Sequence, residues 1–124
     1  MELSKQTWRG TMKRQCRDLL AGLGRSAREV ASSLEAAGVR ATARDPEGCA
    51  VAVYLRAILG ADERVRSLQV SESNVLIRPS PRWRLAVVVP LPQPVREFIA
   101  AFDAERFPTL LRRARPPVAR QPVA

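Results

Sequence analysis

The spacing of apolar residues changes from helical to alternating near the middle of the chain, and that change restricts the folds open to it. As far as Gly60 the apolar residues recur at the three- and four-residue intervals of a helix, whereas from residue 65 they alternate with polar ones. A chain of 124 residues has room for one domain with a single modest core. The sequence therefore predicts an α+β fold, in which N-terminal helices precede a three-stranded antiparallel β-meander that packs against helices.

Two helices are predicted in the first third of the chain. Apolar residues from Met12 to Leu23 share one face, and a Gly-Leu-Gly segment ends that helix. Ser26 and Glu29 then form a capping box that starts the second helix, and Gly38 ends it. The pair meets the minimal description of a helix-turn-helix, but the polar face of the second helix carries two glutamates. We therefore favour an αα-hairpin packed on the sheet.

A short strand and a third helix are predicted next. Residues 39–44 alternate weakly and indicate a short strand. Asp45 is a suitable N-cap, and Pro46 suits the first helical position because its fixed φ angle is helical. We therefore predict a third helix over residues 46–59, ended by a glycine.

The second half of the chain predicts the sheet and the last helix. Two strands are indicated by alternating apolar residues on either side of a turn at 71–74, and a third by the run 85–89. Three consecutive valines in that run are typical of a strand covered on both faces. The C-terminal amphipathic helix is the clearest in the chain, because its apolar residues recur at i, i+3, i+4 and i+7: Val95, Phe98, Ile99 and Phe102.

The net charge of +9 comes from the two ends of the chain. Residues 1–30 carry seven basic and three acidic side chains, residues 31–105 carry nine of each, and residues 106–124 carry five basic and none acidic. Basic segments beside a neutral core are a common feature of proteins that bind nucleic acid or an acidic partner. Arginine outnumbers lysine 19 to 2, which is also typical of a GC-rich, bacterial coding sequence, so codon usage is an alternative explanation.

The domain boundaries follow from composition. We predict a flexible basic N-terminus over residues 1–11, a single α+β domain over 12–113, and a disordered basic Arg/Pro tail over 114–124, where no periodicity remains. The longest apolar runs are far shorter than the roughly 20 residues that cross a bilayer, and the N-terminus is polar. We therefore expect a cytoplasmic protein that has no membrane partner.

The sequence lacks the residues that most enzymes use. It contains no histidine, which removes the commonest general base and metal ligand, and its six glycines form no phosphate-binding loop. We expect no cofactor and no metal. Cys49 is the one candidate nucleophile, since a helix start favours a thiolate, but a small buried thiol is the simpler interpretation for Cys49 and for Cys16. The chain is predicted to be a binding protein rather than an enzyme.

Three basic groups are the candidate nucleic-acid-binding sites. A proline-containing loop would pair arginines with phosphates while its indole stacks on an unpaired base, although a structural hairpin loop would look the same. The first helix would contact the phosphate backbone, and the last arginines would form a salt-sensitive arm. These candidates are Arg9, Lys13, Arg14 and Arg17 in the helix; Arg82, Trp83 and Arg84 in the loop; and Arg112, Arg113 and Arg115 near the end.

Our leading hypothesis is therefore a small non-enzymatic accessory or regulatory protein that binds DNA or RNA. The alternative is a protein-interaction module, either a homodimer or a subunit of a larger assembly, with no nucleic-acid contact. It would use a sheet edge or the helix that carries Phe98 and Phe102. Salt dependence separates the two hypotheses, because phosphate contacts weaken steeply with ionic strength and apolar interfaces do not.

Overall fold

Three helices precede an antiparallel sheet and a fourth helix follows it in the part of the chain that the structure describes, which confirms the predicted α+β class. The structure is a computed structural model, and it describes residues 4–45, 48–80 and 85–111. The elements in chain order are α1 (Ser4–Ala21), α2 (Ala27–Ala36), α3 (Ala50–Leu59), β1 (Val65–Val70), β2 (Asn74–Pro79), β3 (Val87–Pro90), α4 (Gln93–Asp103) and a 3₁₀ turn (Pro108–Leu110).

The three strands form the predicted meander, in the order β1-β2-β3 with both pairs antiparallel. Ser71 closes the turn between β1 and β2, because its N–H donates to the Asn74 carbonyl at 2.9 Å and its hydroxyl accepts the Asn74 N–H at 3.0 Å. Because β2 is the central strand, β1 and β3 each have one edge that pairs with no other strand among the described residues.

One face of the sheet is buried and the other is not. The inward side chains join a single core with the helices: Leu68, Val70, Val75, Ile77, Val87 and Val89. On the opposite face Val88 is 46% exposed, beside a half-buried Leu76 on the neighbouring strand. The prediction that the valine run is covered on both faces is therefore wrong for the described residues, because β3 is an edge strand and its buried valines face only one layer of helices.

Helix α1 begins eight residues before the predicted start at Met12. Only one apolar residue, Trp8, occurs between Ser4 and Met12, and Gly10 weakens the local helix propensity. Trp8 is nevertheless 7% exposed, and tertiary packing holds this first part of the helix. The helix therefore includes residues 4–11, which the sequence analysis placed outside the folded domain.

Helix α2 begins and ends where the sequence predicts. The Ser26 hydroxyl accepts the Glu29 N–H at 3.1 Å, although the Glu29 carboxylate accepts the N–H of Arg25 rather than that of Ser26. Gly38 follows the helix with a φ of 78°, and the Val39 N–H then donates back to the Leu34 carbonyl at 3.1 Å. The helix packs mainly against α4 rather than on the sheet, so the predicted hairpin packing is wrong for α2.

Helix α3 begins at Ala50 with Cys49 as its N-cap, four residues after the predicted start. The Asp45 carbonyl accepts the N–H groups of Gly48 and Cys49 directly before the helix. Pro46 itself lies outside the described residues. Gly60 ends the helix as predicted, and Arg56 donates to the Leu68 carbonyl at 3.1 Å, which ties α3 to β1.

Two other predictions fall near the C-terminal part of the fold. The short strand predicted over 39–44 is reduced to one parallel bridge between Ala41 and Leu111, with the Ala41 N–H bonded to the Leu110 carbonyl at 2.8 Å. The predicted tail over 114–124 lies outside the described residues. Among the described helices, none combines the length and the apolar character that crossing a bilayer would require.

Candidate nucleic-acid interface

The exposed flank of α1 carries the basic residues that the sequence selects. Lys13, Arg14 and Arg17 are exposed, and none of them forms an ion pair with a carboxylate in the described parts of the chain. Other arginines are neutralised within the fold: Arg64 pairs with Asp62 at 3.0 Å. We name Lys13, Arg14 and Arg17 the α1 basic flank.

Arg9 differs from these three residues because it is half-buried against the sheet. Its guanidinium donates to the Ala86 carbonyl at 2.9 Å, 77 residues further along the chain. Its Nε is buried and has no acceptor among the described residues. Arg9 therefore has a structural contact in addition to its charge, which the sequence pattern did not predict.

A groove runs between α1 and β3 beside this contact. Arg9, Gly10 and Lys13 line one side, and Val87 and Val88 line the other. The register of the sheet turns Val87 into the core and Val88 outward, and Val88 forms the accessible apolar wall. Sequence reasoning missed Gly10 and the two valines, since no local pattern shows that β3 lies beside the first helix.

The other six predicted residues lie outside the described part of the chain: Arg82, Trp83, Arg84, Arg112, Arg113 and Arg115. In sequence, Arg84 precedes Ala86 by two positions, and Ala86 is the residue that Arg9 contacts. The fold thus brings the start of β3 next to the basic helix. The C-terminal arginines follow Leu111, which pairs with Ala41.

The carboxylates nearest to helix ends hold the fold together. Asp62 accepts the Trp8 indole N–H at 2.9 Å and two guanidinium N–H groups of Arg64 at 3.0 and 3.1 Å. The hydrogen bonds from Arg64, followed by the one from Trp8, lower the pKa of Asp62 from 3.8 to about 2 despite some opposing desolvation. This carboxylate is therefore ionised and fully engaged, which is the opposite of a poised general acid.

The carboxylates after α4 bind Arg44 rather than the sequence neighbour Arg106. The Asp103 carboxylate accepts the backbone N–H of Arg44 at 2.8 Å, and the Arg44 guanidinium donates to the Asp103 carbonyl. The same guanidinium lies 3.4 Å from the Glu105 carboxylate. These contacts tie the loop before α3 to the end of α4.

Both thiols are buried, which agrees with the simpler interpretation of each. Cys16 is fully buried, and desolvation raises its pKa to about 12. Burial also raises the pKa of Cys49, with smaller contributions from Asp103 and Asp45, and this outweighs the lowering by the N–H groups of Ala52 and Val51. A thiol-dependent enzyme would need the opposite shift. The described residues also contain no group of three or more candidate metal ligands.

Comparison with protein-family models, with curated proteins and with solved structures finds no match to this chain.

Proposed function

We propose that the protein is a small non-enzymatic accessory or regulatory protein of the cytoplasm that binds nucleic acid, with the α1 basic flank as the principal phosphate-contacting surface. The observation that carries the proposal is the local charge balance. Between Arg9 and Arg17 the helix presents four cations, and the nearest acid in sequence, Asp18, pairs with none of them. Lys13, Arg14 and Arg17 are exposed and form no ion pair with a described carboxylate, so their donors are available for phosphate oxygens.

The remaining basic residues fit the same proposal. Arg82 and Arg84 are close in sequence to Ala86, the residue that contacts Arg9 of α1. Trp83, between them in sequence, supplies a ring for stacking. Arg112, Arg113 and Arg115 add a second group of charges to salt-dependent affinity.

The test is a fluorescence-anisotropy titration with short single-stranded and duplex oligonucleotides at about 50 and about 200 mM salt. The triple variant Lys13→Gln, Arg14→Gln, Arg17→Gln should weaken binding and reduce the magnitude of the salt slope by about 2 on single strands, at about 0.7 for each lost phosphate contact. A matched control removes three exposed arginines elsewhere: Arg28→Gln, Arg96→Gln and Arg106→Gln. Equal weakening by both triple variants would contradict a defined surface on α1.

A deletion of residues 112–124 measures the contribution of the C-terminal arginines. We expect weaker binding and a smaller salt slope, because five basic residues follow residue 105 and four of them are removed. The absence of any binding by the full chain at low salt would contradict the proposed function as a whole.

An exposed apolar patch favours one second candidate, a protein-interaction module. Leu85 is 72% exposed, and Val88 lies beside Leu76 on the open face of the sheet. The helix surface named in the sequence analysis is not available, since Phe98 and Phe102 are fully buried in the core. Self-association that persists at high salt and is lost on Val88→Lys would support this candidate.

A further inference from the structure

We propose that the groove between α1 and β3 holds one unpaired nucleotide of a single-stranded nucleic acid, so that the protein prefers single strands to duplexes. This inference rests on the proposed function and adds a site and a ligand class to it. The groove has a volume of about 340 Å³, near the lower limit of ordinary ligand pockets. It accommodates a group the size of a nucleotide, whereas a duplex presents only phosphates to it.

The charges of the groove lie on one wall, and the guanidinium of Arg9 is held in place. Arg9 and Lys13 are one helical turn apart on α1, so their side chains lie on the same side of the helix. The hydrogen bond from Arg9 to the Ala86 carbonyl fixes the guanidinium at the groove without using a carboxylate. The full positive charge of Arg9 is therefore retained at a site that is already ordered.

Gly10 keeps the groove open. A Cβ atom placed on this residue would meet no atom within 4 Å, so close packing does not require glycine here. Glycine also disfavours the interior of a helix, and Gly10 lies well inside α1. Its smallness therefore leaves open the part of the groove that Gly10 lines, next to Lys13.

The opposite wall suits a sugar or base. Val88 is 46% exposed and points out of the sheet, so it offers an apolar contact across from the two cations. An unpaired nucleotide combines a phosphate for the cations with an apolar surface for the valine. In a duplex the bases are stacked and paired, and this second contact is lost.

An acidic peptide would match the charge of the groove, but it would not fit as an added strand beside β3. A peptide that added to β3 would need the edge groups of that strand. Arg9 already occupies the Ala86 carbonyl, and Pro90 has no N–H to donate. The groove is therefore better suited to a ligand that contacts these side chains than to a peptide that pairs as a fourth strand.

The experiment fills the groove without changing its charge. Gly10→Gln places a neutral side chain in the open space and improves helix propensity, so folding is expected to be retained and a thermal unfolding curve checks it. Ala57→Gln, at an exposed position of α3, is the matched control. Labelled oligo(dT) and a hairpin duplex of similar charge are titrated by anisotropy at low salt, together with a labelled oligoglutamate peptide.

We expect Gly10→Gln to weaken oligo(dT) binding by about tenfold, equivalent to about 1.4 kcal/mol, and duplex binding by less than about twofold, because only the single strand places a nucleotide in the groove. Ala57→Gln should change neither. Unchanged oligo(dT) binding by Gly10→Gln, or equal losses on both nucleic acids, would overturn the groove proposal and leave the proposed function standing. If the wild type binds neither nucleic acid but binds oligoglutamate in a Gly10-dependent way, both proposals fail and an acidic peptide takes their place.

Discussion

The indole N–H of Trp8 donates a 2.9 Å hydrogen bond to the Asp62 carboxylate, which lies 54 residues further along the chain. The guanidinium of Arg64 pairs with the same carboxylate and lies 5.5 Å from the centre of the Trp8 ring. The first turns of α1 are therefore anchored to the loop between α3 and β1. Because the α1 basic flank begins with Lys13, five residues after Trp8 on the same helix, the network also orients the proposed binding surface.

We expect Asp62→Asn to lower the free energy of unfolding by about 1 to 2 kcal/mol near neutral pH, since it removes the charge of a carboxylate that accepts four hydrogen bonds. The pKa of Asp62 in the folded protein, about 2, lies below its ordinary value of 3.8. Its contribution is therefore complete above about pH 4 and is lost as the pH falls towards 2. Urea unfolding of both proteins at several pH values measures this difference.

Glu63→Gln is the control for that experiment, because Glu63 is the exposed neighbour of Asp62. It should change stability by no more than about 0.5 kcal/mol at any pH. A gap between wild type and Asp62→Asn that stays constant down to about pH 2 would argue against the anchor.

Two helices end in the same backbone geometry with different residues. Gly38 follows α2 with a φ of 78°, and Glu105 follows α4 with a φ of 59°. At Glu105 the next N–H, from Arg106, returns to the Ala101 carbonyl at 2.9 Å, as the Val39 N–H does after α2. We predict that Gly38→Ala destabilises by about 1 kcal/mol and that Glu105→Gly stabilises by up to about 1 kcal/mol.

Glu105→Gln separates the two effects at that position. It keeps the left-handed backbone but removes the 3.4 Å ion pair with Arg44, whose partners are 64% and 56% exposed. Such exposed pairs contribute about 0 to 1 kcal/mol, so a small loss is expected. Destabilisation by Glu105→Gly that exceeds the loss in Glu105→Gln would contradict the assignment of strain.

Both thiols should be unreactive in the folded protein. Cys16 is completely buried and Cys49 is 4% exposed, and burial raises both pKa values. A thiol reagent at about pH 8 should modify neither in buffer and both in urea. Rapid native labelling of Cys49 would reopen the hypothesis of a thiol-dependent enzyme.

Loss of the Arg9 contact should promote association between chains. Arg9→Ala uncovers the Ala86 carbonyl at the open edge of β3, and exposed edges template strand pairing. We expect a shift to larger species in sedimentation velocity and a stability loss of about 1 kcal/mol. Arg14→Ala removes the same charge from an exposed position and should sediment as the wild type does. Identical sedimentation of both variants would contradict edge protection by Arg9.

Much of the fold was predictable where local signals and tertiary packing agree. The capping box at Ser26 predicted the start of α2 correctly. The apolar repeat from Val95 to Phe102 predicted α4, which extends from Gln93 to Asp103. The meander followed from alternation and from the turn at Ser71. The capping box, the apolar repeat and the turn signal are each contained in about ten consecutive residues of sequence.

The failures occurred where distant residues decide the outcome. A single tryptophan among polar residues gave no helical period, and only its partner Asp62 explains why α1 begins so early. Asp45 and Pro46 predicted a helix start at residue 46. The Asp45 carbonyl instead accepts the N–H groups of Gly48 and Cys49, and α3 begins at Ala50. For the candidate site, the sequence predicted which cations are exposed on α1 but not that Arg9 reaches Ala86, because contact across 77 residues depends on how the sheet is placed.

The Arg9 side chain has two possible partners that compete, which are the Ala86 carbonyl and a bound phosphate. The guanidinium covers the Ala86 carbonyl just before β3, and the same group is the cation that a bound phosphate would attract. A ligand that drew Arg9 fully away would therefore uncover the edge at the moment of binding. If the groove binds a nucleotide as proposed, its occupancy and the pairing of strand edges would be coupled through this residue, so crowding on a long nucleic-acid strand would favour contacts between neighbouring bound copies.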